Sequence, residues 1–293
     1  MPADAPTADR DQYFKSQNWE AYDSEQHDIW KTLFRRQAEI LKGRAAPEYI
    51  AGLDALQVTA DGIPDFRRMN DILGRATGWE IVGVTGLVPH DMFFELLADR
   101  KFPATSFIRT REQLDYLQEP DMFHDIFGHV PLLSNPVFAD YMQAYGKGGV
   151  KAMQLGGLEN ISRLYWYTVE FGLIKTADGL RIYGAGIVSS KGESVYSLED
   201  ASPNRIGFDL KRIMRTDFRI DDYQETYFVI DSYEQLFEET RPDFTPVYAE
   251  LKGQPLIQPR DVLPTDRVFH RGTNAYHAAK RAQQATAPGQ AAE

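Results

Sequence analysis

Glu119-Pro120-Asp121-Met122-Phe123-His124-Asp125-Ile126-Phe127-Gly128-His129-Val130-Pro131 holds two of the chain's six histidines, five residues apart. On a continuous α-helix an offset of five turns a side chain by roughly 140°, so the two imidazoles would point apart. Gly128 is a good helix terminator, and Pro131 biases Val130 towards an extended backbone. The stretch therefore predicts His124 in a last helical turn and His129 just past it, folded back so that both reach one ion. Two hydrogen-bonded core histidines are the plainer alternative.

Further along, Ile161-Ser162-Arg163-Leu164-Tyr165-Trp166-Tyr167-Thr168-Val169-Glu170-Phe171-Gly172-Leu173 reads as an apolar, aromatic-dense helix that contains one carboxylate. Burying Glu170 without a partner costs several kcal/mol or leaves it protonated. A divalent cation removes the problem; an ion pair with Arg163, two helical turns back, is the structural alternative. Two neutral imidazoles and a carboxylate make a facial triad with three open positions, the set that non-haem Fe(II) oxygenases use. Zinc accepts the same donors, so a metallohydrolase competes. The zinc-peptidase helix, however, spaces its histidines by four with Glu after the first, whereas here the spacing is five and Asp125 follows. A binding module with a closed structural metal needs a fourth ligand, and none is evident beside either histidine.

The rest of the composition bounds these readings. Hydrophobic residues are 43% and charged residues 26% of the 293, which suits a globular chain. Fifteen Tyr, 17 Phe and four Trp point to an aromatic-rich interior. A net charge of −11 with no basic cluster argues against duplex nucleic acid as a partner. No run approaches the ~18 to 20 apolar residues of a membrane helix. The polar start Met1-Pro2-Ala3-Asp4 shows no secretory signal, and zero Cys excludes disulfides and thiolate metal sites. The cytoplasm is the default compartment.

Apolar periodicity predicts helices over 26–42, 65–73, 91–98, 136–145, 161–173 and 208–215, and short strands over 80–84, 181–187, 217–220 and 226–230. Strands do not alternate regularly with helices, so the expected class is a mostly α-helical α+β domain with a few short antiparallel strands. Residues 1–12 read as a flexible arm, 13–277 as the folded domain and 278–293 as a frayed tail.

Three blocks carry a resemblance: Pro120-Asp121 through Pro131, Leu164 through Leu173, and Tyr183-Gly184-Ala185-Gly186-Ile187-Val188-Ser189-Ser190-Lys191-Gly192-Glu193. In this order they closely resemble the pterin-dependent aromatic amino acid hydroxylases, over roughly Trp30 to Tyr248, and most resemble the short bacterial members that act on phenylalanine. The resemblance implies the family's catalytic domain, with His124, His129 and Glu170 holding Fe(II). It also implies a tetrahydropterin as electron donor, and O2 and L-phenylalanine as substrates, with L-tyrosine as product; tryptophan and tyrosine are the alternative substrates. Phe93 would stack on the pterin, Gly86, Val88 and His90 would line its edge, and Asp125 and Tyr165 would border it. From the residues alone, Phe93 and Phe94 read as core. Arg109 would hold the substrate carboxylate with Asp121 behind it, since a guanidinium binds carboxylates through two parallel hydrogen bonds. Ser189 would orient His124 or contact the substrate carboxylate, though alone it reads as a turn serine. The substrate ring would pack among Pro120, Trp166 and Phe171. Apolar Ile220 lies at a position linked to the choice of phenylalanine over tyrosine. The family's regulatory domain and tetramerisation helix are not seen, so a monomer is expected.

Overall fold

The computed structural model describes residues 10–115, 117 and 119–286. The first predicted stripe forms α1 (Ser24–Ile40), which buries Ile29, Trp30 and Leu33. Its start is a capping box: Gln26 N donates to the Asp23 side chain at 2.9 Å, and Asp23 N donates to the Gln26 side chain at 3.0 Å. Helices α2 (Pro47–Ala55) and α3 (Phe66–Ala76) follow, then β1 (Glu80–Val84), α4 (His90–Ala98) and β2 (Lys101–Thr105). Beyond the two-histidine segment come α5 (Pro136–Leu155), α6 (Leu158–Tyr165), β3 (Leu173–Thr176), β4 (Gly179–Ile182), α7 (Ala185–Val188) and α8 (Glu193–Glu199). The chain continues through β5 (Asn204–Gly207), α9 (Leu210–Met214), β6 (Thr226–Ile230), α10 (Tyr233–Thr240), α11 (Thr245–Leu251), β7 (Val268–His270) and α12 (Ala275–Thr286).

The mostly helical α+β class stands, but the pairing is mixed rather than antiparallel. β1 and β2 run parallel around α4 as one β-α-β unit, with Glu80 opposite Lys101 and Val84 opposite Thr105. The larger sheet has the order β4-β3-β6-β5-β7, in which β6 is parallel to both neighbours. Only β3–β4, joined by a two-residue turn, is forced to be antiparallel; longer connections through helices leave the other directions free. Residues 217–220, expected as a strand, form a loop between α9 and β6. The first block of the β-α-β unit delivers residues 86–90 to the carboxyl end of two parallel strands, where ligands commonly bind in such units.

At Gly146 of α5 the helix meets the backbone of α4 directly. A Cβ at Gly146 would lie 2.4 Å from Ala98 N and 2.7 Å from the Leu97 carbonyl carbon, both backbone atoms of α4. Gly146→Ala is therefore expected to cost about 2–4 kcal/mol, because backbone cannot rotate away as a side chain does. Denaturant unfolding measures it, and an unchanged midpoint would show that the helix pair yields.

Residues 1–9 and 287–293, the outer parts of the expected arm and tail, lie outside the described residues, and the described residues next to them contact the domain. Residues 10–13 form a 3₁₀ turn, and Arg10 pairs with Asp91 and Glu95 of α4. Ala and Gln, good helix formers, carry α12 through Thr286. Tyr276 OH and Lys280 Nζ both donate to Asp222, at 3.0 and 2.8 Å, so the helix lies against the domain. The histidines outside the main blocks are also engaged: His27 Nδ1 accepts from Ile63 N, His270 contacts Ala201 O, and His277 is buried beside Asp222.

Candidate active site

The five-residue offset of the histidines is resolved by winding, not by a helix end. Phe123–His129 is a π-helical segment, in which the wider i→i+5 turn brings side chains five apart back to nearly one face. Val130 keeps a right-handed backbone (φ −65°, ψ −33°) and leads into a 3₁₀ turn, Val130–Ser134, rather than an extended exit. Gly128 does not terminate anything. Its small size matters because a Cβ there would stand 3.0 Å from Ala185 O and 3.2 Å from Ala185 Cβ. Tyr49 OH donates to Phe127 O at 2.6 Å, supporting a carbonyl within the π turn. Glu170 ends a second π-helical turn, Trp166–Glu170, that continues α6. Such turns are rare and frequent at functional sites.

These two turns converge. His129 Nε2 lies 3.1 Å from Glu170 Oε1 and 3.0 Å from His124 Nε2, and His124 Nε2 lies 3.6 Å from Glu170 Oε2. Arg163 pairs instead with Glu159, at 3.3 Å. Ser189 fixes one tautomer. Its single hydroxyl hydrogen goes to Ala185 O at 2.7 Å, so its oxygen accepts from His124 Nδ1 at 3.0 Å. His124 therefore presents an Nε2 lone pair to the cluster. Burial depresses the His124 imidazolium to about 4, so the ring is neutral at physiological pH. Burial drives Glu170 upward, but the two imidazoles more than reverse it, and its carboxyl ends below its usual range.

Electron-rich atoms so close need a proton or a cation among them. Ligands ~2.1 Å from an ion and at right angles stand ~3.0 Å apart, and tetrahedral ones ~3.4 Å. Two of the three separations here match the right-angled face. The donor set and its spacing fit a divalent metal with one face left open.

An aromatic line runs from this cluster to α4: His129 and Tyr165 are 6.1 Å apart, and Tyr165 meets Phe93 edge-on at 5.5 Å. Phe93 is mostly buried, Val88 is buried, and Gly86 and His90 are half-buried at the same strand ends. A Cβ on Gly86 would meet nothing within 4 Å, so the space beside that loop is open. Asp125 turns towards the end of β2, where its Oδ2 accepts from Thr105 N at 2.7 Å and Thr105 Oγ1 at 2.9 Å. Burial pushes Asp125 up to about 7 against those two bonds.

Arg109 and Asp121 form a buried fork, Nε to Oδ2 at 2.9 Å and Nη2 to Oδ1 at 2.8 Å. The same Asp121 Oδ1 accepts from His124 N at 3.2 Å, joining the arginine to the π turn. Pro120 is half-buried at the entry to that turn. Trp166 packs on Phe171 at 4.7 Å and stacks on Phe218 at 4.5 Å. Ile220 is 79% exposed, so in this conformation it lines nothing. From the same loop, buried Gln224 accepts from Trp166 Nε1 at 3.0 Å. Sequence reasoning passed over Gln224, and no local pattern marks it.

Comparison with known proteins agrees with this geometry. Residues 14–249 match the family described as biopterin-dependent aromatic amino acid hydroxylase. The chain is 63% identical over 252 residues to a phenylalanine-4-hydroxylase of Ralstonia nicotianae, covering 86% of this chain and 80% of the relative. It is 58% identical over 271 residues to that of Caulobacter vibrioides, covering 92% of each. Among solved structures, Chromobacterium violaceum phenylalanine hydroxylase with iron and phenylalanine bound superposes with a TM-score of 0.85 at 56% identity, covering 89% of this chain and 95% of that one. The same enzyme with iron(III) and 7,8-dihydrobiopterin gives 0.85 at 57%, covering 89% and 94%. The chain belongs to the biopterin-dependent aromatic amino acid hydroxylases.

Proposed function

We propose that this protein is a phenylalanine 4-monooxygenase, converting L-phenylalanine to L-tyrosine with O2 and a tetrahydropterin at a non-haem iron centre. The observation that carries the reading is the convergence of His124, His129 and Glu170 on one point, in a chain 63% identical to a phenylalanine-4-hydroxylase. These three side chains would hold Fe(II), which when bound supplies, with the pterin's electrons, the chemistry that activates O2. The protein's own residues do the rest. Ser189 keeps His124 in the tautomer that ligates. Arg109, braced by Asp121, holds the substrate carboxylate. Trp166, Phe171 and Pro120 orient the ring. Phe93 stacks on the pterin, with Gly86, Val88 and His90 along its edge and Tyr165 and Asp125 beside it.

Residues 13–277 act as one catalytic domain in this reading, flanked by 1–12 and 278–293. It works as a monomer in the cytoplasm. The docking of α12 on its own domain supports a monomer, and no helix among the described residues is long and apolar enough to cross a membrane. The test is an aerobic assay with Fe(II) and tetrahydropterin, offering phenylalanine, tyrosine or tryptophan in turn. Tyrosine formed from phenylalanine at the highest kcat/KM of the three is expected; turnover that ignores pterin and O2 would overturn the reading. Light scattering at assay concentration tests the monomer, with a mass well above 33.4 kDa counting against it.

A further inference from the structure

Stacking contacts worth about 0.5–1.5 kcal/mol let an indole slide and tilt, so Phe171 and Phe218 alone leave Trp166 loosely set. The edge of the ring is fixed differently. Trp166 Nε1 donates to Gln224 Oε1 at 3.0 Å across 58 residues of chain. The Gln224 amide cannot turn over, because its Nε2 donates to Arg219 O at 2.8 Å and faces Asp222 O at 3.4 Å. Its oxygen must face the indole. Gln224 is 2% exposed and its own backbone is held in turn: Gln224 N donates to Glu193 Oε1 at 3.2 Å, and Tyr227 OH donates to the same oxygen at 2.6 Å. Glu193 is itself buried, at 6% exposure. A buried chain, Tyr227–Glu193–Gln224–Trp166, thus ends on the ring proposed to wall the substrate pocket.

We propose that Gln224 is a positioning residue for phenylalanine hydroxylation, which fixes the tilt of Trp166 and thereby the width of the slot that admits the substrate ring. Glu193 and Tyr227 hold Gln224 from behind. The inference rests on the proposed place of Trp166 in the substrate wall. A freed indole would swing, grip a phenyl ring less well and make more room for a bicyclic one.

Gln224→Met keeps the length and removes the acceptor. It is expected to raise KM for phenylalanine about five- to tenfold with kcat within about twofold, and to lower the preference for phenylalanine over tryptophan by a similar factor. In a Trp166→Phe background, which has no N–H to hold, the same substitution should change neither quantity. Equal effects in both backgrounds, or none in either, overturn the proposal. A second measurement needs neither turnover nor a folded Gln224 variant. In the iron-free full-length chain labelled with ¹⁵N-tryptophan, the indole N–H signal missing from Trp166→Phe should exchange slowly with solvent in the wild type. Rapid exchange there also overturns the proposal. A wild type that hydroxylates no phenylalanine would sink the functional reading instead and leave the exchange result standing.

Discussion

Glu170→Gln is expected to lose nearly all bound iron and to cut hydroxylation by on the order of a thousandfold or more. The substitution preserves shape and removes only the charge that two neutral imidazoles need beside them to hold a dication. With His129 Nε2 at 3.1 Å and His124 Nε2 at 3.6 Å, the new amide nitrogen can donate to an imidazole lone pair and occupy the site with a hydrogen bond. The iron-free variant should therefore fold at least as stably as the iron-free wild type. The two should part when Fe(II) is added. A ligand that binds only the native state at a hundred times its Kd stabilises by about 2.7 kcal/mol, so the wild-type melting temperature should rise while that of Glu170→Gln stays put. His124→Ala and His129→Ala should behave alike in iron content and turnover. Iron retained at wild-type stoichiometry with turnover intact in any of the three would remove the triad from the mechanism.

The triad was legible because it is an anomaly: a carboxylate on an aromatic helix, and two histidines with no other business in a buried segment. Its winding was not. Nothing in the residue types of 123–129 distinguishes an i→i+5 turn from a helix that stops, since the choice is made by packing against Ala185 and by Tyr49 reaching Phe127. Long amphipathic elements such as α1 and α5 announced themselves by period. β2, β3 and β5 are four or five residues long, and much of their definition comes from partners distant in sequence, which no local window contains. The same limit hid Gln224, whose meaning depends on an indole 58 residues away. Ile220 shows the converse: a position chosen from resemblance turns outward here, and its loop reaches the wall through another residue.

Arg109→Lys is expected to raise KM for phenylalanine about ten- to hundredfold while kcat changes far less. In the proposed role the guanidinium would serve two carboxylates with different edges. Its Nε and Nη2 hydrogens meet Asp121 side-on at 2.9 and 2.8 Å, leaving Nη1 and the second Nη2 hydrogen as an end-on edge for the amino acid. A lysine keeps the charge but gathers its three hydrogens on one atom, so it satisfies Asp121 or the substrate and not both in parallel. Arg109→Ala should do more, because Asp121 is wholly buried and would keep its charge with no cation beside it. Breaking one side of such a pair costs about 3–5 kcal/mol, which denaturant unfolding would register. Asp121 also accepts from His124 N, so the loosened carboxylate should disturb the π turn and lower iron affinity modestly in Arg109→Ala but not in Arg109→Lys. An unchanged KM in Arg109→Lys would take the arginine out of the substrate site and leave it a purely structural partner of Asp121.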